Sequence, residues 1–203
     1  QNETGSSIHI HQSIIDIKTG ENIFSGAAEG QRFSERFYHY VGGLQKYTPH
    51  AISFFAPNVN SYRRFAPEMS APVNMKWGID NRTTGLRAPD APADATRIEN
   101  RFPGADSNPY LAIAASLACG YLGLKGKLQP TSPTTDAAAE EGDTVELARS
   151  LGEALQLLEE CPELRDIMGS AFIEAYIGVK RAEFETFHKV ISSWEREFLL
   201  LSV

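Results

Sequence analysis

The stretch NSYRRFAPEMSAPVNMKWGIDNRTTGLRAPDAPADATRIENR, residues 60–101, decides how the rest of the chain is interpreted. It carries six arginines and one lysine against five carboxylates, so its net charge is +2, whereas the whole chain carries −7. Arginine is the side chain best suited to bidentate binding of carboxylate and phosphate. An arginine cluster in an acidic protein predicts a site for a small anionic substrate. It argues against a nucleic-acid surface, which carries a wider basic excess.

Prolines divide this stretch into short segments that have the composition of strands, predicted at about 73–79, 83–88 and 97–102. In the last of these, Arg97, Glu99 and Arg101 share one face because side chains alternate with a period of two. A carboxylate between two arginines indicates either part of the anion site or a structural ladder of ion pairs.

A further strand is predicted at about 7–16, where SIHIHQSI alternates between apolar and polar residues. Ile8 and Ile10 lie on one face, and His9 and His11 lie on the other, about 7 Å apart. That spacing suits a metal ligand beside a phosphate contact, although an exposed polar strand face would show the same pattern.

Helices account for most of the remaining chain. Ser34 is expected to cap a helix in which Gly42-Gly43 requires close packing and Pro49 causes a break or kink. Asn108-Pro109 opens a second long helix. Three more helical segments are predicted from Asp143 to Glu160, from Pro162 to about Ile191, and over 194–201, and residues 129–142 are predicted to form a surface loop.

The predicted class is therefore α+β, with antiparallel strands packed against several helices in a single domain over 1–203. The hydrophobic fraction of 42% is sufficient for a core, and no apolar run approaches the roughly 18 residues that span a bilayer. With no secretory signal, we expect a cytoplasmic protein that binds neither nucleic acid nor membrane. Cys119 and Cys161 are expected to be buried free thiols.

Four motifs in order resemble the C-terminal part of the catalytic domain of the glutamine synthetase superfamily. They are TGSSIHIHQS at 4–13, NSYRR at 60–64, NRTTGLR at 81–87, and RIENRFP at 97–103 followed by SNPYL at 107–111. The form WGIDNRT at 77–83 is most similar to the γ-glutamylpolyamine synthetase branch.

The resemblance implies an ATP-dependent ligase in which the γ-carboxylate of glutamate attacks ATP, and the γ-glutamyl phosphate is then captured by an amine. It also implies the site residues, matched motif by motif. His9 and Glu99 would bind Mg²⁺ or Mn²⁺, and Arg82 would stabilise the phosphoryl group during transfer. The remaining contacts would be Arg64, Arg101 and Gly5 with glutamate, and His11, Ser13, Arg87 and Arg97 with ATP.

Departures from the family pattern bear on the amine. Ser70 stands where ammonia-using members carry a glutamate that helps to form the ammonium site, and Glu68 lies two residues too early. This favours a polyamine or another primary amine, with ammonia as the alternative. A non-catalytic relative is a further alternative, but the retained His9, Arg82 and Glu99 argue against it.

The family's upstream β-grasp domain and its other metal-binding glutamates have no counterpart in this sequence. We therefore expect the chain to be the C-terminal portion of a longer protein and to be inactive alone. The resemblance also implies a ring-shaped homo-oligomer for the full-length protein.

Overall fold

The computed structural model describes residues 6–28, 30–66, 71–135 and 147–200. Four short strands form one sheet in the order β1-β4-β3-β2. They are β1 (Ile10–Gln12), β2 (Trp77–Ile79), β3 (Leu86–Ala88) and β4 (Ile98–Asn100). The α+β class is confirmed, and the four predicted strands exist, although each is three residues long.

One strand pairing differs from the antiparallel prediction. β4 runs antiparallel to both β1 and β3, but β2 and β3 run parallel, with Trp77 opposite Leu86. Parallel pairs usually need a crossover of a dozen or more residues, whereas only six residues separate these strands. The connection reverses direction through Asp80, which has φ 50°, and through a turn in which the Asn81 side chain accepts from the Thr83 backbone N–H.

The longest helix, α1 (Glu35–Phe55), begins at Ser34, whose hydroxyl accepts from the Phe37 N–H as predicted. The predicted break at Pro49 is wrong, because the helix continues through it. Proline removes one hydrogen bond from a helix interior. Here the flanking residues Thr48, Ala51 and Ile52 are fully buried, and that packing outweighs the lost bond.

Helix α2 (Pro109–Gly126) packs along α1 and confirms the predicted helix start at Asn108, whose side chain accepts from two backbone N–H groups. At the crossing, a Cβ on Gly43 would lie 2.6 Å from the Gly123 Cα and 2.4 Å from the Cys119 carbonyl oxygen. Glycine at both positions therefore lets the two backbones touch.

Four helices follow: α3 (Leu151–Glu159), α4 (Pro162–Met168), α5 (Ser170–His188) and α6 (Ser193–Phe198). The helix predicted from Asp143 begins instead at Leu151, capped by Ser150, and Asp143 itself lies outside the described residues. The predicted helix from Pro162 to Ile191 is interrupted at Gly169, which has φ 93°. None of the helices in the described part of the chain is long and apolar enough to cross a membrane.

The segment 129–135, in the first half of the predicted surface loop, is bound to the edge of the sheet. The Trp77 indole N–H donates to the Thr131 carbonyl at 2.7 Å, and the Thr134 N–H donates to the Trp77 carbonyl at 2.8 Å. Residues 136–142 lie outside the described residues. Cys119 and Cys161 are both buried and free, as predicted.

Candidate active site

The Glu99 carboxylate is the centre of the charged face of the sheet. Its side chain is only 3% exposed, and one of its oxygens lies 2.7 Å from the Arg87 guanidinium. The other lies 3.3 Å from the Arg101 guanidinium and 2.8 Å from His9 Nδ1. The register places Glu99 opposite both His11 of β1 and Arg87 of β3, so the sheet itself brings these side chains together.

The charges around Glu99 determine its protonation state. Burial would raise the pKa of Glu99, but the hydrogen bond from Arg87 and the charge of Arg101 outweigh it, so the pKa lies below its ordinary value. The carboxylate is therefore ionised at neutral pH. Of the predicted ladder, the Glu99–Arg101 pair is present, whereas Arg97 contacts His11 and the place of the second arginine is taken by Arg87 of β3.

His9 is held in one tautomer by this carboxylate. Because an ionised carboxylate only accepts hydrogen bonds, the proton lies on His9 Nδ1, and Nε2 keeps a lone pair. Burial and the charge of Arg101 lower the pKa of His9, so the ring is neutral near pH 7. A neutral imidazole is the form that binds a metal ion.

His9 and Glu99 fit part of a shell for Mg²⁺ or Mn²⁺. A neutral imidazole and a carboxylate are donor types that such ions accept, and the structure pairs the two side chains directly, with His9 Nδ1 2.8 Å from Glu99. Across 6–28, 30–66, 71–135 and 147–200, the structure holds no group of three or more His, Cys, Asp or Glu side chains that could bind a metal ion. These residues alone therefore do not supply a complete site.

Arg64 and Arg101, predicted to bind glutamate, approach the same end of β4. The Arg64 guanidinium donates to the Phe102 carbonyl and lies 3.4 Å from the Ser7 hydroxyl. Arg101 is 8% exposed, and its second guanidinium nitrogen donates to the Arg82 carbonyl at 3.1 Å. Gly5, the third predicted contact, lies outside the described residues.

The structure brings two of the residues predicted to contact ATP next to each other. The Arg97 Nε lies 3.4 Å from His11 Nδ1, and its guanidinium also donates to the Ala95 carbonyl. Ser13 is exposed just beyond β1. Arg87 is held between Glu99 and Asp80, and these two hydrogen-bonded carboxylates outweigh its burial and raise its pKa.

Arg82, the predicted catalytic residue, is exposed in the loop between β2 and β3. Its backbone carbonyl is bound by Arg101, so the loop is anchored to the site while the Arg82 side chain projects from it. This arrangement leaves the guanidinium able to reach a substrate.

Guanidinium donors outnumber protein acceptors at this site. Within the described part of the chain, the buried Nε atoms of Arg64, Arg87 and Arg101 have no hydrogen-bond partner. Buried donors are normally paired.

The family model described as "Glutamine synthetase, catalytic domain" matches residues 1–199. The chain belongs to the glutamine synthetase family. A glutamate–isopropylamine ligase from Pseudomonas sp is 37% identical over 194 residues, which cover 95% of this chain and 42% of that protein. A glutamine synthetase from Pyrococcus abyssi is 39% identical, covering 90% of this chain and 42% of its own length.

Solved structures of GmaS have the same fold as this glutamine synthetase family chain. The apo form gives a TM-score of 0.85 and the ADP complex 0.84, each at 32% identity and over 97% of this chain. The chain covers 45% and 46% of those two chains. It therefore spans less than half the length of the relatives named here.

Sequence reasoning missed two carboxylates that support the arginines. Asp80 was counted only as a charge, yet it binds Arg87. Asp106 accepts from the Ser61 hydroxyl at 2.5 Å and from the Asn58 amide at 3.0 Å, and its charge opposes the lowering of the Arg64 pKa by burial. The sequence did contain a signal for a turn at Asp80, because an aspartate followed by Asn directly after a strand is typical of a turn.

Proposed function

We propose that the full-length protein is an ATP-dependent ligase that joins the γ-carboxyl group of glutamate to an amine. The observation that carries this proposal is that Arg87 and Arg101 meet the His9–Glu99 pair on one sheet face, with Arg64 bound at the adjacent end of β4. Three cations beside a metal-compatible pair suit a reaction between two anionic substrates. Membership of the glutamine synthetase family supports the same chemistry.

The reaction proceeds in two steps. A γ-carboxylate oxygen of glutamate attacks the γ-phosphorus of ATP, the bond to the β-phosphate oxygen breaks, and ADP leaves. The amine nitrogen then attacks the γ-carbonyl carbon, the bond to the phosphate oxygen breaks, and the nitrogen loses a proton. Phosphoryl transfer requires mainly positioning and charge neutralisation, which arginines supply.

We assign to each residue the role that the family resemblance implies. Arg64 and Arg101, with Gly5, hold the carboxylates of glutamate, and the exposed Arg82 neutralises the phosphoryl group in transfer. His11, Ser13, Arg87 and Arg97 contact ATP. A Mg²⁺ or Mn²⁺ ion held by His9 and Glu99 would neutralise charge on the ATP phosphates when bound.

We infer that a polyamine or another primary amine is preferred over ammonia. The argument depends on Ser70, which lies outside the described residues and stands where ammonia-using members have a glutamate. The relatives include both a glutamate–isopropylamine ligase and glutamine synthetases, so ammonia remains the second candidate.

The test is ADP release by the full-length protein with ATP, Mg²⁺ or Mn²⁺ and glutamate, supplied in turn with putrescine, isopropylamine or ammonium. We expect amide formation with at least one primary amine at a higher kcat/KM than with ammonium. Equal or better turnover with ammonium would contradict the amine preference. The absence of glutamate-dependent ADP release with all three would contradict the ligase itself.

The same assay tests the expectation that residues 1–203 are inactive alone. His9 and Glu99 supply only part of a metal shell, so further ligands must come from outside the described residues. We also propose that the full-length protein assembles into a ring, which sedimentation equilibrium would detect as a closed oligomer.

A further inference from the structure

A buried hydrogen-bond network lies directly behind the site, on the core face of the same two strands. The Tyr40 hydroxyl of α1 donates to Gln12 Oε1 of β1 at 2.5 Å, and Gln12 Nε2 donates to the Ser116 hydroxyl of α2 at 2.7 Å. The Asn100 amide of β4 donates to the same hydroxyl at 2.9 Å. All four side chains are buried, and together they join two strands to two helices.

Apolar side chains alone leave the register of β1 against β4 ambiguous. The core face of this segment reads Ile8, Ile10, Gln12 and Ile14, so a slip of two residues would keep the isoleucines facing the core. The backbone pairing continues beyond the three-residue strands, because Ser7 is bridged to Gly104. Backbone groups are nearly alike at every residue, however, so they distinguish a two-residue slip poorly. Gln12 is the one position whose displacement would leave buried polar groups unpaired.

The consequences of such a slip fall on the opposite face. Moving β1 by two residues would carry His9 about 7 Å along β4 and would put His9 or Ser13 opposite Glu99 in place of His11. The observed geometry of the His9–Glu99 pair, with its 2.8 Å contact, therefore belongs to the register in which the buried network forms.

We propose that Tyr40, Gln12, Ser116 and Asn100 are positioning residues that set the register of β1 on β4 and thereby assemble the His9–Glu99 metal pair. This inference rests on the proposed function, because it assigns a metal role to that pair. None of the four side chains touches the substrates. They act through the strands on which the ligands lie.

The packing around Tyr40 shows how closely its hydroxyl is placed. A Cβ on Gly120 of α2 would lie 2.0 Å from the tyrosine ring, so only glycine lets the ring pass against that helix. Phe24 packs on the ring with a centroid distance of 5.1 Å. The ring has one available position, and its hydroxyl meets Gln12 there.

The chain offers a matched control. The Tyr176 hydroxyl donates to the Ser53 carbonyl at 2.7 Å, joining α5 to α1 and contacting none of the four network residues. Tyr40→Phe and Tyr176→Phe therefore make the same chemical change, each removing one hydroxyl hydrogen bond. Ser116→Ala provides a second disruption of the network that leaves Tyr40 intact.

The experiment measures Mn²⁺ binding by calorimetry to the full-length protein and its variants, well below their melting temperatures. Hydrogen–deuterium exchange over residues 6–16 is measured on the same samples. We expect Tyr40→Phe and Ser116→Ala to weaken Mn²⁺ binding by about tenfold, as is typical when groups that orient a metal ligand are removed, and to speed exchange in that segment. We expect Tyr176→Phe to bind Mn²⁺ as the wild type does.

The outcomes separate this inference from the ligase proposal. If both network variants keep wild-type Mn²⁺ affinity and exchange, or match Tyr176→Phe, the network only stabilises the fold and the inference is overturned. If the wild type binds no Mn²⁺, the role assigned to the pair is overturned directly. If the ligase proposal alone is wrong, the wild type will bind Mn²⁺ but will release no ADP when glutamate is added.

Discussion

Replacing Glu99 with glutamine tests whether one buried carboxylate neutralises the candidate site. The change keeps the size of the side chain and one acceptor oxygen, but it removes the negative charge between Arg87 and Arg101. Breaking a buried ion pair by removing one partner costs about 3–5 kcal/mol. Because Arg87 retains Asp80, we expect a loss near the lower end, about 3 kcal/mol of unfolding free energy.

The assay is urea denaturation of the full-length protein, followed by circular dichroism, with Glu174→Gln as the control. Glu174 binds Arg165 at 2.6 Å, but its side chain is 64% exposed, so the same chemical change should cost about 0.5 kcal/mol. A Glu99→Gln protein within about 1 kcal/mol of wild type, or no less stable than the control, would refute the view that Glu99 balances the buried arginines.

The pH dependence of the same pair of proteins provides a second check. The folded-state pKa of Glu99 lies below its ordinary value of 4.5, so its contribution to stability is fully present above that pH. It is lost as the pH falls through the lower folded-state pKa. The stability difference between wild type and Glu99→Gln should therefore be constant near neutrality and shrink in acid. A difference that grew below pH 4.5 would contradict this assignment.

Three further changes test other parts of the structure. Arg64→Ala in the full-length enzyme should raise the KM for glutamate or lower kcat by at least about tenfold, whereas the exposed neighbour Arg63→Ala should change neither greatly; steady-state kinetics decides. Arg82→Lys should lower kcat by about 10²-fold while the melting temperature barely moves, because this side chain is exposed and its role is confined to the transition state. Gly43→Ala should destabilise the protein by more than about 2 kcal/mol, because the new Cβ would meet backbone, whereas Gly178→Ala, with open space around it, should be neutral or stabilising in a thermal melt.

The elements that the sequence predicted well are those with a local cause. Ser34 and Asn108 are N-caps whose side chains satisfy the first backbone donors of a helix, and both helices begin where those residues stand. Alternation likewise predicted a strand at about 7–16 and placed the histidines away from the core. Such signals depend on residues within a few positions of each other.

The errors have a non-local cause. Pro49 was expected to break α1, but the proline lies in a segment buried by other helices, and no local pattern records that packing. The parallel pairing of β2 with β3 depends on where the six-residue connection places β3, which also pairs with β4. The helix start was predicted at Asp143, which forms a capping-box pattern with Glu146, whereas α3 begins at Leu151 and is capped by Ser150.

The candidate site also shows this difference between local and non-local causes. The sequence identified the charged face of β1 and β4, because charges two apart on a strand share a face. It gave no indication of Gln12, whose partners Tyr40 and Ser116 lie far away in the chain. Yet backbone hydrogen bonds are nearly alike at every residue, so they distinguish poorly between registers of a short strand. A site built on such a strand must have its geometry specified by side chains on the hidden face, so the residues that determine ligand geometry here are not the ligands.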